Sequence, residues 1–180
     1  MADGVSGHAS RPGPSERSSG VGGVPPFTSF LEEHRADVYR YLLAAVGPHD
    51  ADDCFQETFL SALRAYPRLR DAENLRGWVL TIATRKALDH WRARKRRPLP
   101  VEHVPESTAP GPDEADPALW RAVGGLPPMQ RAAVIHRYVL DLPYAEVASA
   151  MGCSEEAARA NAFEGRKKLR ALALAGRESR

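Results

Sequence analysis

The feature that most constrains this fold is a glycine set between two helical patterns near the C-terminal end. Tyr144, Val147, Ala148 and Met151 recur at the i, i+3, i+4, i+7 spacing of a buried helix face. Gly152 follows at once, where a helix C-terminus needs φ > 0. Ser154 stands where an N-cap belongs. Glu155 and Glu156 occupy the first turn, where carboxylates complement the helix dipole. The next helix carries little large apolar surface, mainly Phe163 and Leu169, and ends basic at Arg166, Lys167, Lys168 and Arg170. Two helices joined by a tight glycine turn make a helix-turn-helix, whose second helix can lie in the DNA major groove. An ordinary αα-hairpin in a small helical protein has the same pattern, so this stretch alone leaves both readings open.

The chain of 180 residues suggests one or two domains, and its 43% hydrophobic content suffices for packed cores. No apolar run approaches the ~20 residues of a membrane span. The N-terminus is polar and rich in Gly, Ser and Pro, without the apolar core of a signal peptide. A cytoplasmic location, with no membrane insertion, is therefore expected. Cys54 and Cys153 lie far apart in helical segments and read as buried free thiols. The net charge of +2 conceals a pattern. Residues 27–97 hold 13 Lys/Arg against 10 Asp/Glu, residues 98–116 no base and 5 acids, and residues 117–180 10 bases against 6 acids. Two mildly basic blocks thus flank an acidic joint, a pattern that bears on partners.

Residues 1–26 are too polar to offset ordering entropy, and disorder is expected there. A first helix is predicted from Thr28 to Val46, with Phe30, Leu31, His34, Val38, Tyr41, Leu42 and Ala45 on its apolar stripe and Gly47-Pro48 as its stop. A second is predicted from Ala51 to Tyr66, burying Phe55, Phe59, Leu63 and Tyr66. Asp50, Asp52 and Asp53 suit its N-terminus, whereas Asp53, Gln56 and Glu57 share a mostly exposed face. That face is either a solvated surface or a dock for a basic partner. After Pro67 and a polar loop, Arg68–Asn74, a third helix is predicted from Leu75 to Arg96. Residues 85–97 include seven bases: Arg85, Lys86, Arg92, Arg94, Lys95, Arg96 and Arg97. That exceeds what a helix C-terminus requires. Trp78 reads as core, and Trp91 as the aromatic placed to stack on bases. Six prolines between Pro98 and Pro117 mark an extended linker between two independently folded units. The second unit reads as four short helices. One starts near Ala118 and ends at Gly124-Gly125. The next runs from Met129 to Leu140, with Tyr138 and Val139 among its apolar contacts. The helix-turn-helix follows, with Pro143 in its first turn.

Together these stretches resemble an extracytoplasmic-function (group 4) sigma factor of the main bacterial sigma family, over about Phe27 to Leu172. "DADDCFQETFLSALRAY", Asp50–Tyr66, is similar to the helix that docks on the clamp helices of RNA polymerase. "LRGWVLTIATRKALDHWRARKRR", Leu75–Arg97, is similar to the helix that melts and reads the −10 element. "LPPMQRAAVIHRYVLDLPYAEVASAMGCSEEAARANAFEGRKKLRAL", Leu126–Leu172, is similar to the −35-reading domain. No region-3 domain intervenes.

The resemblance implies an all-α fold of two small helical domains joined by an acidic Pro-rich linker, the second domain with the helix-turn-helix. Region 2 would occupy 27–97, the linker 98–116, region 4 117–175 and a tail 176–180. It implies core-polymerase binding by Asp53, Gln56 and Glu57. For −10 contacts it implies Arg68, Arg70, Asn74, Arg85, Lys86, Asp89, Trp91, Arg92, Arg94, Lys95 and Arg96, with the loop capturing a flipped base. For −35 contacts it implies Tyr144, Ser154, Glu155, Ala158, Arg159, Asn161, Ala162, Arg166 and Lys167. Partners would be core polymerase (clamp helices of the β′ subunit and flap of the β subunit), promoter DNA and an anti-sigma factor. No cofactor or metal is implied. Arg85 stands where many members have Asn. Ala157–Ala162 departs from a pattern like T-V-K-S-R-L, although Arg159 keeps a basic reader and Asn161 can pair with adenine or a phosphate. Glu164 is acidic where a base is common. Two other readings share the sequence: a sigma-like interaction protein that no longer reads promoters, and a stand-alone helix-turn-helix repressor. An enzyme is disfavoured, since there is no phosphate-cradling glycine loop, H-E-x-x-H or paired C-x-x-C site.

Overall fold

In the computed structural model, residues 24–70, 73–96 and 117–178 are described, and among them there is no strand. The expectations for residues 1–23, for the linker 98–116 and for the last two tail residues lie outside that set. Among the described residues seven α-helices follow in order: α1 Phe27–Val46, α2 Pro48–Ala65, α3 Leu75–Arg96, α4 Pro117–Gly124, α5 Pro128–Val134, α6 Tyr144–Met151 and α7 Glu155–Glu178.

The first three helices pack on one another. α1 buries Phe30, His34, Val38, Tyr41, Leu42 and Ala45 of the stripe its spacing predicts, and Leu31 at its edge is half-buried. Gly47 turns the chain into α2 at φ 86°, a conformation that disfavours any Cβ, and Pro48 starts the new helix at no hydrogen-bond cost. Phe27, Phe30, Tyr66 and Trp78 form an aromatic cluster with ring centroids 5.0–6.1 Å apart. The Tyr66 hydroxyl donates to Pro25 O at 2.8 Å. Val24 packs against the core, so the last residues of the expected disordered extension are part of the fold. The buried face of α2 differs from expectation. Ala51, Cys54, Thr58, Phe59 and Ala62 carry it. Leu63 is 48% exposed and Phe55 half-buried. The stripe is phased by small residues, Ala and Thr, which sit where α1 and α3 approach closely. The larger Leu63 falls one position outside.

In the C-terminal half α5 gives way to a π-helical turn, Ile135–Val139, where a single helix to Leu140 was expected. Leu140 N–H reaches back to Ile135 O at 3.1 Å. The widened turn buries the consecutive residues Ile135 and His136 together, while Tyr138, expected inside, is half exposed. Pro143 is the N-cap of α6 and not a first-turn residue. Gly152, at φ 65° and ψ 39°, supplies the left-handed C-cap. α5 and α7 approach so closely at Gly165 that an added Cβ would lie 2.6 Å from Val134 Cγ2 and 3.2 Å from Gln130 O.

The two halves were expected to fold separately, but they pack together. α3 contacts α5 and α6, and α1 contacts α4 and the π-turn. His136 is fully buried in this seam and stacks on Tyr41 at 4.4 Å and 9°. The Thr84 hydroxyl donates to Leu80 O at 2.7 Å, so His136 Nε2–H must donate to Thr84 Oγ1, 2.9 Å away. His136 Nδ1 then has no hydrogen-bond partner among the described residues. Arg131, 4% exposed, places Nη1 2.8 Å from Ala45 O and Nη2 3.3 Å from Leu126 O. Its guanidinium carbon lies 3.4 Å from the centroid of a Trp91 ring. Arg76 bridges Asp37 at 2.7 Å and Leu140 O at 3.3 Å.

This packing is testable at two positions. Gly165→Ala forces α5 and α7 apart and should destabilise the fold by about 1–3 kcal/mol, read as a lower melting temperature with helix content retained. Burial, and secondarily the charge of Arg76, push the His136 pKa down to about 3. Stability that depends on its neutral form is complete above the unfolded value near 6.5 and is lost as pH falls below it. Between pH 7 and pH 5 the wild type should therefore lose about 2 kcal/mol more than His136→Phe. Urea midpoints at the two pH values measure the difference.

Candidate nucleic-acid interface

On α2 the structure presents Asp53, Gln56 and Glu57 to solvent, as the spacing predicts. Leu60, 53% exposed, and Leu63 continue the same face. These two leucines were not read from the sequence as surface residues. Periodicity shows that a stripe is apolar but not how much of its width a partner helix covers. Lys86 of α3 lies 3.4 Å from Glu57, so the acidic face and the basic helix meet along one edge.

The basic residues of α3 divide by environment. Arg85, Arg92, Arg94 and Arg96 are exposed; Lys86 is half-buried; the side chain of Lys95 lies outside the described set. Arg92 pairs with Asp89 at 2.9 Å, and Arg94 with Asp50 at 3.2 Å, next to His90 at 3.1 Å from the same carboxylate oxygen. Exposed pairs of this kind contribute little, about 0–1 kcal/mol, so a phosphate can compete for the arginines. Trp91 is not the open stacking platform its position suggests. It is half-buried, its indole N–H donates to Ala45 O at 3.3 Å, and Arg131 covers it.

Arg68 and Arg70 are exposed beside the loop, of which residues 71–72 lie outside the described set. Asn74 is engaged within its own helix start, where its Oδ1 accepts Gly77 N–H at 2.7 Å, the N-cap contact of α3. A side chain holding that bond is not free to pair with a base.

In the helix-turn-helix, Ala158 and Ala162 are fully buried with Gly165 and cannot touch DNA; both leave the set of expected readers. They phase α7 so that Arg159, Ala160, Phe163, Arg166 and Lys167 face outward. Phe163 is 56% exposed; the buried run 158, 162, 165 is the signal that places it outside. Arg159 pairs with Glu155 and lies over Tyr144, 4.7 Å from the ring centroid. Arg137 joins them, 5.5 Å from the same ring and 2.9 Å from Asp141. Ser154 caps α7 by accepting Ala157 N–H at 3.1 Å. Asn161 donates to Ala157 O at 2.8 Å, which engages its amide within the helix. Neither thiol is activated. Cys54 is buried, with its pKa pushed up to about 11 by desolvation and nearby carboxylates, and Cys153 is raised by burial.

Comparison with known proteins agrees with this layout. The sigma-70 region 2 signature matches residues 30–97 and the sigma-70 region 4 signature residues 117–169. The chain is 30% identical over 142 residues to the probable RNA polymerase sigma-C factor of Mycobacterium bovis, covering 76% of this chain and 77% of that one. It is 30% identical over 181 residues to the ECF RNA polymerase sigma factor SigG of Mycobacterium tuberculosis, covering 81% of this chain and 48% of the relative. It therefore spans about half the length of that relative. The structure of the sigma factor RpoE in complex with the anti-sigma factor NepR from Bartonella quintana superposes with a TM-score of 0.66 at 19% identity, over 81% of this chain and 95% of that one. The chain belongs to the sigma-70 family, in its extracytoplasmic-function branch. Members of this family are non-enzymatic transcription initiation factors. No helix among the described residues is long and apolar enough to cross a membrane.

The Asn74 cap yields a direct test. Asn74→Ala should lower stability by about 0.5–2 kcal/mol, whereas Asn74→Asp, which keeps the acceptor, should not. Chemical denaturation of the two variants distinguishes a cap from a residue held only for base contact.

Proposed function

We propose that the protein is a promoter-specificity subunit that directs RNA polymerase core enzyme to particular promoters and has no catalytic activity of its own. The observation that carries this reading is the order of surfaces along one chain. An exposed acidic and apolar face on α2 is followed by a basic α3, and then by a helix-turn-helix whose second helix presents Arg159, Phe163, Arg166 and Lys167. Core polymerase would dock on Asp53, Gln56 and Glu57, with Leu60 and Leu63 adding apolar contact. Arg68 and Arg70, with Arg85, Lys86, Asp89, Arg92, Arg94, Lys95 and Arg96 of α3, would hold the −10 strand, the cations acting mainly on phosphate. Trp91 would join them once uncovered. Tyr144, Glu155 and Arg159 would meet −35 base edges, with Arg166 and Lys167 on phosphate. Ser154, Asn161 and Asn74 support these elements by capping and helix bonds. An anti-sigma partner is part of the proposal, since the superposed RpoE is bound to one. We place the protein in the cytoplasm, where polymerase and promoters are.

Run-off transcription with purified core tests the reading: a specific transcript that depends on this protein is expected, and its absence excludes the proposal. Replacing Asp53, Gln56 and Glu57 together by Ala should weaken core capture about tenfold or more, equivalent to about 1.4 kcal/mol, with helix content unchanged. Capture equal to wild type would assign docking elsewhere.

A further inference from the structure

A large apolar ring, Phe163, stands exposed on the second helix of the helix-turn-helix. The buried face of α7 is set by Ala158, Ala162 and Gly165. At about 3.6 residues per turn, the strip directed straight away from that face is Glu156, Ala160, Phe163 and Lys167. These follow one another at i, i+4, i+7 and i+11, and all four are exposed. Arg159, over the Tyr144 ring, and Arg166, close to Tyr138, border the strip on one side.

The middle of this strip offers a base pair a methyl group and a ring. Asn161, the amide next along the chain, is turned into its own helix by the bond to Ala157 O at 2.8 Å. Ser154 is spent on the cap at 3.1 Å. Cations surround the ring: Arg159, Arg166 and Lys167 lie on or beside the same face, against Glu156 one turn before Ala160. That charge matches a polyanion, and not an apolar protein groove. Seated in a major groove, a helix of this kind meets base edges, and there thymine presents its C5-methyl group to Ala or Phe side chains. Ala160 and Phe163 are about 4.5 Å apart along the helix axis at ~1.5 Å per residue, near the ~3.4 Å step between base pairs. Two neighbouring base pairs are therefore within their reach.

We propose that Ala160 and Phe163 form an apolar reading step that selects a −35 element with two neighbouring A·T pairs, by contact with the C5-methyl groups of their thymines, while Arg166 and Lys167 hold the flanking phosphates. The proposal rests on the promoter-specificity reading above and names what that surface selects. A step of this kind has no hydrogen bond to lose. It separates thymine from cytosine by apolar contact, so each methyl contributes a small factor and the choice of site is set by their product.

The test uses the full chain with purified core polymerase and a pool of duplex templates randomised at both promoter elements. Templates that are transcribed should be enriched in two neighbouring A·T pairs within the −35 element. Deoxyuridine, which lacks only the methyl group, is then placed at those thymines in the best template. Wild-type transcription should fall about threefold for each methyl removed. Phe163→Ala should transcribe the thymine template less well and lose little more when the thymine facing residue 163 becomes uridine, because the two changes remove one contact. Its core capture and melting temperature should match wild type. Enrichment of templates without neighbouring A·T pairs, equal wild-type transcription from thymine and uridine templates, or equal uridine sensitivity in wild type and Phe163→Ala overturns the proposal. Weakened core capture by a folded Phe163→Ala assigns the ring to a protein contact and overturns it as well. The uridine comparison on wild type needs no variant and decides where Phe163→Ala does not fold. If wild type with core gives no template-specific transcript at all, the promoter-specificity reading has failed, and this inference with it.

Discussion

The molecule depends on α3 being claimed from several sides at once. Val79, Leu80, Ala83 and Ala87 are buried on it. Thr81, Thr84 and Trp91 face the second half, and what remains outside is a strip of charge, Arg85, Asp89, Arg92 and Arg96. A helix of 22 residues can serve in this way only if its small residues admit close neighbours. The alanines and threonines of α3 do so. Every other candidate surface is placed by reference to it: the acidic face of α2 along one edge, through Lys86 and Glu57, and the helix-turn-helix along another.

Charge on the outer face of this protein is held in exposed ion pairs. The cations of the candidate interface are lightly engaged: Arg92 with Asp89, Arg94 with Asp50, Arg159 with Glu155. Each pair is exposed enough that a phosphate oxygen can displace its carboxylate at little free-energy difference. Arg131 is the contrast. Desolvation pushes its pKa down to about 9, yet its partners are a helix-terminal carbonyl and an aromatic ring. The Ala45 carbonyl lies in the last turn of α1, where helix carbonyls lack helical partners and the dipole is negative. It is a natural acceptor for a cation arriving from another part of the chain.

Much of this was legible beforehand, and the misses share a cause. α1 and α3 appear within one residue of their predicted bounds because Gly47-Pro48 and the Asn74 cap are local signals. Gly152 and Ser154 define the helix-turn-helix for the same reason. Leu63 and Tyr138 were assigned inside and lie outside. Leu63 follows the better-phased Ala62, and size misleads where helices approach at an alanine; Tyr138 lies in the π-turn, which departs from the α-helical phase its spacing assumed. Ala158 and Ala162 were assigned to DNA and are core, again because small residues mark the close contact. Trp91 could not be judged from α3 alone, since its cover comes from Arg131, forty residues later.

The sequence by itself determined where α1 and α3 begin and end, which stretch turns on a glycine, and where charge of each sign accumulates. Those properties depend on backbone dihedrals, caps and spacing within a few residues. Only the tertiary structure decided how wide each buried stripe is, which polar side chains are engaged in caps, and that His136 and Arg131 close one half upon the other. Burial is a property of what comes to lie opposite. A periodic pattern carries the phase of a face, but not the number of neighbours that will cover it.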